Sequence, residues 1–325
     1  MPRAVVCREL GPPERLRLET FASAPLAQGQ VRVAVHATGI NFPDILMAAG
    51  EYQLRPELPF TPGVEAAGEV TEIASGVSGV AVGDRVTVKM RYGAYADEAV
   101  VAPSQLVRLP SNFDYAEGAT FLAAHGTAHH ALVDRGGLQP GEVLLVHGAG
   151  GGVGLAAVEM GKMMGATVIA AASSEEKLAI AKARGADHLV LYAREPFREA
   201  VKRITDGRGA DVVFDPVGGE IFENSLRCIA WGARILVIGF TGGIGLARTN
   251  LLLIKGASVL GVRAGEASRR NPAAGEARTR ALLEWAEAGK IRPHISHRMP
   301  LEDYALAMRL LIDRKAIGRV ALMMR

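Results

Sequence analysis

Cysteine is almost missing from this chain. Cys7 and Cys228 are the only two among 325 residues, which excludes a disulfide framework and leaves no set of thiolates for a structural zinc. Aromatic residues make up 5%, and they do not interleave with basic clusters as in a nucleic-acid platform, so no nucleic-acid partner is expected. Charge of one sign is also lacking: 37 basic against 34 acidic side chains leave a formal +3, too little to argue for a polyanion. No clean membrane span is present. Residues 143–161 have about the length of one, yet they hold His147, Glu159 and five glycines between Gly148 and Gly154. The opening residues, Met1-Pro2-Arg3-Ala4-Val5-Val6-Cys7-Arg8-Glu9, put charge where a secretory leader needs apolar residues. A first β-strand and a cytoplasmic location are expected instead.

What is abundant is glycine, at 38 residues, which implies many tight turns and close backbone approaches. Hydrophobic residues at 49% and charged residues at 22% exclude disorder as the main state, and the length suggests two domains. The first third reads as short strands broken by Gly and Pro: residues 31–35 and 68–73 alternate, and 83–88 form a turn and a third strand. Helical patterning begins near Ala116 and runs through residues 119–133. From Glu142 to Val262, apolar runs (143–147, 167–171, 188–191, 212–214, 234–238, 258–262) alternate with helical stretches such as 153–164, 175–184 and 197–205. Such alternation predicts an α/β domain with a doubly wound parallel sheet. Residues 264–280 are expected to begin as a surface loop, followed by helices near 273–288 and 301–313 and a strand over 318–323. The expected division is thus 1–120, 121–264 and 265–325, the last segment returning to the first domain.

The strongest chemical signal follows the first of those runs: Val143-Leu-Leu-Val-His147-Gly148-Ala149-Gly150-Gly151-Gly152-Val153-Gly154. Against the dinucleotide fingerprint G-x-G-x-x-G, Ala149 replaces the first glycine while Gly151 and Gly154 match. Gly151 lets the backbone approach a pyrophosphate, Gly154 lets the helix pack on the strand, and the amides near Gly152 and Val153 supply donors. A merely tight turn, or an adenosine site of the methyltransferase type, is the alternative. Nucleotide choice is read at the end of the second strand, where an NAD site carries a carboxylate for the ribose. Here Ala172 and Ser173 stand there, with Lys177 one helical turn on, which suits the 2′-phosphate of NADPH. A plainer reading makes Ser173-x-x-Glu176 a capping box beside a solvated Lys177.

Taken with this loop, the sequence resembles the zinc-independent quinone oxidoreductases, the zeta-crystallin-like branch of the medium-chain dehydrogenase/reductase superfamily. The resemblance spans nearly the whole chain. It rests on Gly39-Ile40-Asn41-Phe42-Pro43-Asp44, Gly50-Glu51-Tyr52, residues 58–68, Val82-Gly83-Asp84-Arg85-Val86, Gly93-Ala94-Tyr95-Ala96 and Asp215-Pro216-Val217-Gly218-Gly219. Similar zinc enzymes carry a cysteine near Asn41 and Gly-His-Glu where this chain has Gly63-Val64-Glu65. No metal site is expected, and His125, His129 and His130 lack the carboxylate spacing of a metalloprotease. The resemblance implies a Rossmann sheet inserted in a mainly β, GroES-like catalytic domain.

It also implies cofactor contacts. Asn41, Phe42 and Pro43 would approach the nicotinamide ribose, with His130 near the nicotinamide, and Gly152 and Val153 would meet the pyrophosphate. Ser173, Ser174, Lys177 and Tyr192 would surround the 2′-phosphate, Phe240 and Thr241 would lie on the carboxamide side, and Arg314 would complete the adenine end. Tyr192 also reads as an amphipathic ring at a strand end, and Arg314 as a solvated helix terminus.

Without a Lewis acid, the acceptor must already be electrophilic, so a quinone or α,β-unsaturated carbonyl compound is the expected substrate. Asn41 and Tyr52 are the candidates for donating hydrogen bonds to the developing oxyanion. Asn41 could instead hold a turn and Tyr52 belong to the core. An enoyl-thioester reductase is the alternative enzyme, its long phosphorylated carrier served by Arg263, Arg269 and Arg270. A non-catalytic NADPH-binding sensor or structural protein is the alternative from another class. The apolar last strand, 258–262, would leave an exposed edge, and related proteins pair there, so a homodimer is expected.

Overall fold

Strict alternation builds the central strand of the first unit. Val31, Val33 and Val35 are buried while Arg32, Ala34 and His36 between them are partly exposed, the two-residue period of a half-buried strand. The computed structural model describes residues 1–324 and falls into two units, Met1–Ala123 with the segment from Arg292 onward, and Ala124–Ile291.

The first unit begins with β1 (Arg3–Val6), β2 (Arg17–Thr20), β3 (Val31–Gly39), β4 (Glu65–Ile73), β5 (Arg85–Lys89), β6 (Glu98–Val101) and β7 (Leu106–Arg108). In the second unit follow β8 (Val143–Val146), β9 (Thr167–Ala172), β10 (His188–Leu191), β11 (Ala210–Asp215), β12 (Ile229–Val237) and β13 (Ser258–Gly261). Then β14 (Ile295–Pro300) and β15 (Arg319–Met323) return to the first unit.

In the first unit a seven-stranded sheet runs β14-β15-β3-β4-β5-β7, and β6 also pairs with β3. The long β3 serves two partners along one edge. Its first half pairs with β6 (Val31 opposite Val101) and its last residues with β15 (Gly39 opposite Ala321). The C-terminal strand therefore takes over the edge where β6 leaves it. Beneath lies a core of Val31, Val33, Val70, Val88, Tyr95, Val320 and Leu322 with their neighbours.

The second unit is a six-stranded sheet in the order β10-β9-β8-β11-β12-β13, with every pair parallel. Strand order reverses between β8 and β11, and ligands of such folds bind outside the carboxyl ends at that reversal. This is the α/β architecture predicted by the alternation of runs and helices. β8 is buried throughout, as a parallel strand covered on both faces must be.

Two expectations need correction. The return to the first unit comes at Arg292 rather than 265, and residues 264–280 do not open as a loop. They form helices Ala264–Arg270 and Pro272–Glu287, the second capped by the Asn271 side chain accepting from the Ala274 amide at 3.1 Å. Asn followed by Pro is a helix-start signal that was legible in the sequence. This pair of helices stays with the second unit because Arg278 is buried against Asp134 and Trp285 stacks on His129 at 5.6 Å.

One ion pair fastens the returning strand. Arg319 on β15 meets the Glu65 carboxylate on β4, with both side chains buried. Arg319→Leu leaves that carboxylate without its counter-charge, and we expect a loss of about 3–5 kcal/mol in unfolding free energy by chemical denaturation. Combining it with Glu65→Gln should lose less than the two single changes summed; strict additivity would show that the pair does not couple.

Candidate functional site

In the first unit the site residues gather around that ion pair. Asn41 precedes the helix Phe42–Ala49, whose Pro43 sits in the first turn where its missing N–H goes unneeded. Asp44 closes the turn: its Oδ2 accepts from the Asn41 amide at 2.8 Å and from the Tyr95 hydroxyl at 2.9 Å. Tyr95 is fully buried and lies outside the strands. Burial drives the Asp44 carboxyl up to about 7, against the opposing pull of those hydrogen bonds.

The Asn41 side chain reaches inward. Its Nδ2 donates to the Gly39 carbonyl at 3.2 Å and to Glu65 Oε1 at 3.3 Å. Both partners are acceptors, so both amide hydrogens are engaged and Oδ1 is the atom left over. This corrects the expectation that Asn41 donates to a developing oxyanion. Val64, where similar zinc enzymes have histidine, is half-buried against the core and offers no metal ligand. Phe42 and Tyr52 also pack partly buried against that core, and the Tyr52 hydroxyl has no partner among the described residues. Arg314 is exposed just past the helix Tyr304–Ile312, in the left-handed region with φ 58°.

The second unit carries the glycine loop at the strand-order reversal. Gly148 adopts φ 56°, the Ala149 amide donates to the Ala171 carbonyl at 3.1 Å, and Gly151 begins the helix Gly152–Met163. No side chain caps that helix, so the first-turn amides of Gly152 and Val153 keep their donors for a ligand. A Cβ on Gly154 would lie 2.3 Å from the Gly148 carbonyl oxygen, so only glycine lets helix and turn close. The residues present fit a dinucleotide pyrophosphate.

Under the turn runs a closed hydrogen-bond chain. Ser225 gives its hydroxyl hydrogen to the Ile221 carbonyl at 2.7 Å, so it accepts from His147 Nε2 at 2.9 Å. His147 Nδ1 then accepts from the Tyr192 hydroxyl at 2.8 Å, whose oxygen faces the Gly148 amide at 3.4 Å. Burial holds His147 neutral, pushed down to about 3. Tyr192 therefore points its hydroxyl into the loop's support, not outward at a 2′-phosphate; the implied contact from that atom is corrected. His147 was the missed residue, and its place after an apolar strand was the available signal.

At the end of β9, Ala172 is buried and Ser173 exposed. Ser174, not Ser173, caps the helix Glu175–Ala183, accepting from the Lys177 amide at 3.3 Å. That shifts the capping assignment by one residue and leaves the Ser173 hydroxyl beside Lys177 Nζ at 3.4 Å. The Lys177 stem lies over Gly150, where a Cβ would come within 2.5 Å of it. Ser173, Lys177 and the glycine loop are thus brought together. After β11, Asp215 Oδ1 accepts from the Val217 and Gly218 amides at 2.8 and 2.9 Å. Thr241 donates its hydroxyl to Pro216 O at 3.2 Å, tying the exposed Phe240 turn to this same end of the sheet. His125 pairs with Glu159 at 3.2 Å, and among the described residues no group of three His, Cys, Asp or Glu is arranged for a metal ion.

A Rossmann sheet with such a loop and a GroES-like β unit in one chain define a nicotinamide-dinucleotide oxidoreductase of the medium-chain class. The family model for zinc-binding dehydrogenases matches residues 152–284 and that for the alcohol dehydrogenase GroES-like domain residues 27–111. Quinone oxidoreductase-like protein 2 homolog of Nematostella vectensis is 40% identical over 98% of this chain and 88% of its own. Human quinone oxidoreductase is 30% identical over 99% and 98%. The Escherichia coli quinone oxidoreductase structure complexed with NADPH superposes with TM-score 0.90 at 28% identity, covering 99% of this chain and all of that one. This chain belongs to the quinone oxidoreductase-like family of medium-chain dehydrogenases/reductases.

Asp44 gives a pH signature. Its carboxyl ionises near 3.8 when unfolded and near 7 when folded, so the folded state holds the extra proton in between. Stability from this group is full below about pH 4 and is lost as pH rises through 7, by up to roughly 1.4 kcal/mol per pH unit. Asp44→Asn removes that fall, so denaturation profiles of variant and parent should separate in favour of the variant from pH 4.5 to 7.5. Parallel profiles would sink the assignment.

Proposed function

We propose that this protein reduces quinones or α,β-unsaturated carbonyl compounds with NADPH, by hydride transfer and without zinc. The observation that carries the reading is the zinc-ligand region itself, filled by Val64 and by an Asn41 whose amide hydrogens are bonded to Gly39 and Glu65. When bound, NADPH supplies a hydride from C4 of its nicotinamide ring. In this reading the amides of Gly152 and Val153 hold the pyrophosphate, and Gly151 and Gly154 let it approach. Lys177, Ser173 and Ser174 face the 2′-phosphate, a contact supported by the Lys177–Ser173 approach and by the lack of a carboxylate at the end of β9. Asn41, through Oδ1, accepts from a ribose hydroxyl beside Phe42 and Pro43, while Phe240 and Thr241 flank the carboxamide and Arg314 the adenine. Tyr52 donates its hydroxyl to the oxygen on which charge develops.

The enoyl-thioester alternative loses support because Arg269 and Arg270 both pair with Glu266, at 2.8 and 3.0 Å, and so offer less charge to a phosphorylated carrier. We further propose a homodimer joined at β13; Trp231 on the neighbouring β12 and Leu253 and Ile254 on the preceding helix Thr249–Lys255 are 77%, 81% and 63% exposed. A cytoplasmic location fits two buried free thiols, and among the described residues no helix is long and apolar enough to cross a membrane.

The deciding assay is NADPH and NADH oxidation at 340 nm against 1,4-quinones, alkenals, enones and enoyl-CoA. Turnover on quinones or enones with NADPH preferred is expected; tight NADPH binding without turnover would favour the sensor or structural reading. Lys177→Ala should raise KM for NADPH at least tenfold more than KM for NADH, a loss of about 1.4 kcal/mol in the charged contact. Equal effects on both would remove the 2′-phosphate assignment.

A further inference from the structure

The buried chain beneath the glycine loop has a direction, and that direction decides what Tyr192 can do. Ser225 ends the helix Gly219–Ser225 and spends its hydrogen on the Ile221 carbonyl. Toward His147 it is therefore an acceptor, and the ring carries its hydrogen on Nε2. Nδ1 is then a lone pair 2.8 Å from the Tyr192 oxygen, so the phenol donates to it. The neighbouring Asp215 carboxyl keeps a buried Oδ2 without a partner, so it does not take the phenol hydrogen instead. What Tyr192 has left is acceptor capacity, and the Gly148 amide faces it at 3.4 Å. Phe197 braces both rings edge to face, its centroid 4.8 Å from that of His147 and 6.0 Å from that of Tyr192.

Gly148 is the residue on which the loop turns. It adopts φ 56°, its amide meets Tyr192, and its carbonyl accepts from the Gly151 amide at 2.9 Å. The same carbonyl oxygen is the atom that keeps a Cβ off Gly154. Gly151 in turn precedes the helical turn whose Gly152 and Val153 amides no side chain caps. Fixing Gly148 therefore fixes where those two donors point before a ligand arrives. A loop already in its binding shape spares the ligand the cost of ordering it. A phenol whose hydrogen is spent inside the protein cannot also give it to a phosphate outside.

We propose that Tyr192, oriented by His147, is a positioning residue for the pyrophosphate loop, setting affinity for the diphosphate that NADPH and NADH share and not the choice between them. This rests on the dinucleotide reading of the loop above. Two kinds of residue then serve one site. Lys177 and Ser173 discriminate through the 2′-phosphate, whereas Tyr192 and His147 act through Gly148 on the part common to both cofactors. Burial holds His147 neutral, pushed down to about 3, so the chain keeps one polarity from pH 5 to 8.

The test uses the full chain. ¹⁵N-histidine NMR of the cofactor-free parent between pH 6 and 8, with His147 assigned through its backbone, should show the neutral Nε2–H tautomer. In Tyr192→Phe, hydrogen exchange at the Gly148 amide should quicken. By fluorescence titration the same variant should bind NADPH and NADH more weakly by one common factor, roughly three- to tenfold for a lost hydrogen bond. Its kcat at saturating NADPH should stay within about twofold of the parent. Lys177→Ala in the same titration is the contrast, weakening NADPH far more than NADH. A loss confined to NADPH would make Tyr192 a 2′-phosphate contact and overturn the assignment. Unchanged affinity for both dinucleotides, or an Nδ1–H tautomer in the parent, would overturn it too. A parent that binds neither dinucleotide would overturn the dinucleotide reading and the role with it, while the tautomer still reports the chain.

Discussion

The Glu65–Arg319 ion pair organises the β unit. Two opposite charges are taken out of water, an expense that close pairing and further hydrogen bonds must offset. Glu65 meets that condition by also receiving the Ala123 amide at 2.9 Å and the Asn41 side chain. Its carbonyl accepts from Thr38 at 2.7 Å. One carboxylate thus ties β4, the C-terminal strand, the start of the helix Phe42–Ala49 and the helix containing Ala123. Such a network specifies one arrangement of these elements because every alternative strands a buried charge.

The same pairing explains the chemistry left to Asn41. In a unit where Glu65 did not face this residue, the amide hydrogens would be available to a ligand. Here they are consumed by the scaffold, and the residue turns from donor to acceptor. Asp44 and Tyr95 continue the network inward, away from solvent, which is why that carboxyl titrates so far from its ordinary range.

In the Rossmann unit the corresponding constraint is backbone proximity. Gly154 allows helix and turn to touch, and the neutral His147 chain braces the turn from below through Tyr192 and Ser225. The loop is therefore presented by a strand end and a hydrogen-bonded floor, with the first-turn amides of Gly152 and Val153 left to bind. Function on such a site is a matter of which donors remain unspent once the fold has taken its share.

Local pattern by itself determined five strands of the β unit (β1, β3, β4, β5 and β15), the alternating strand–helix order that gives a parallel sheet, and the glycine loop. Period-two and period-3.6 burial and the steric demands of a phosphate turn are properties of adjacent residues. It also placed Ser173 and Lys177 within reach of each other, since they lie one helical turn apart. It did not determine where the chain returns to the β unit, because that boundary depends on Arg278 finding Asp134, 144 residues away. Nor did it reveal the inward turn of Tyr192, the spent amide of Asn41 or the His130–Asp134 pair. Their direction is set by partners distant in sequence, and by the π-helical turn His130–Arg135 that shifts the helix register. Tertiary structure decided those, because a side chain's chemistry depends on which of its hydrogen bonds the fold has already used.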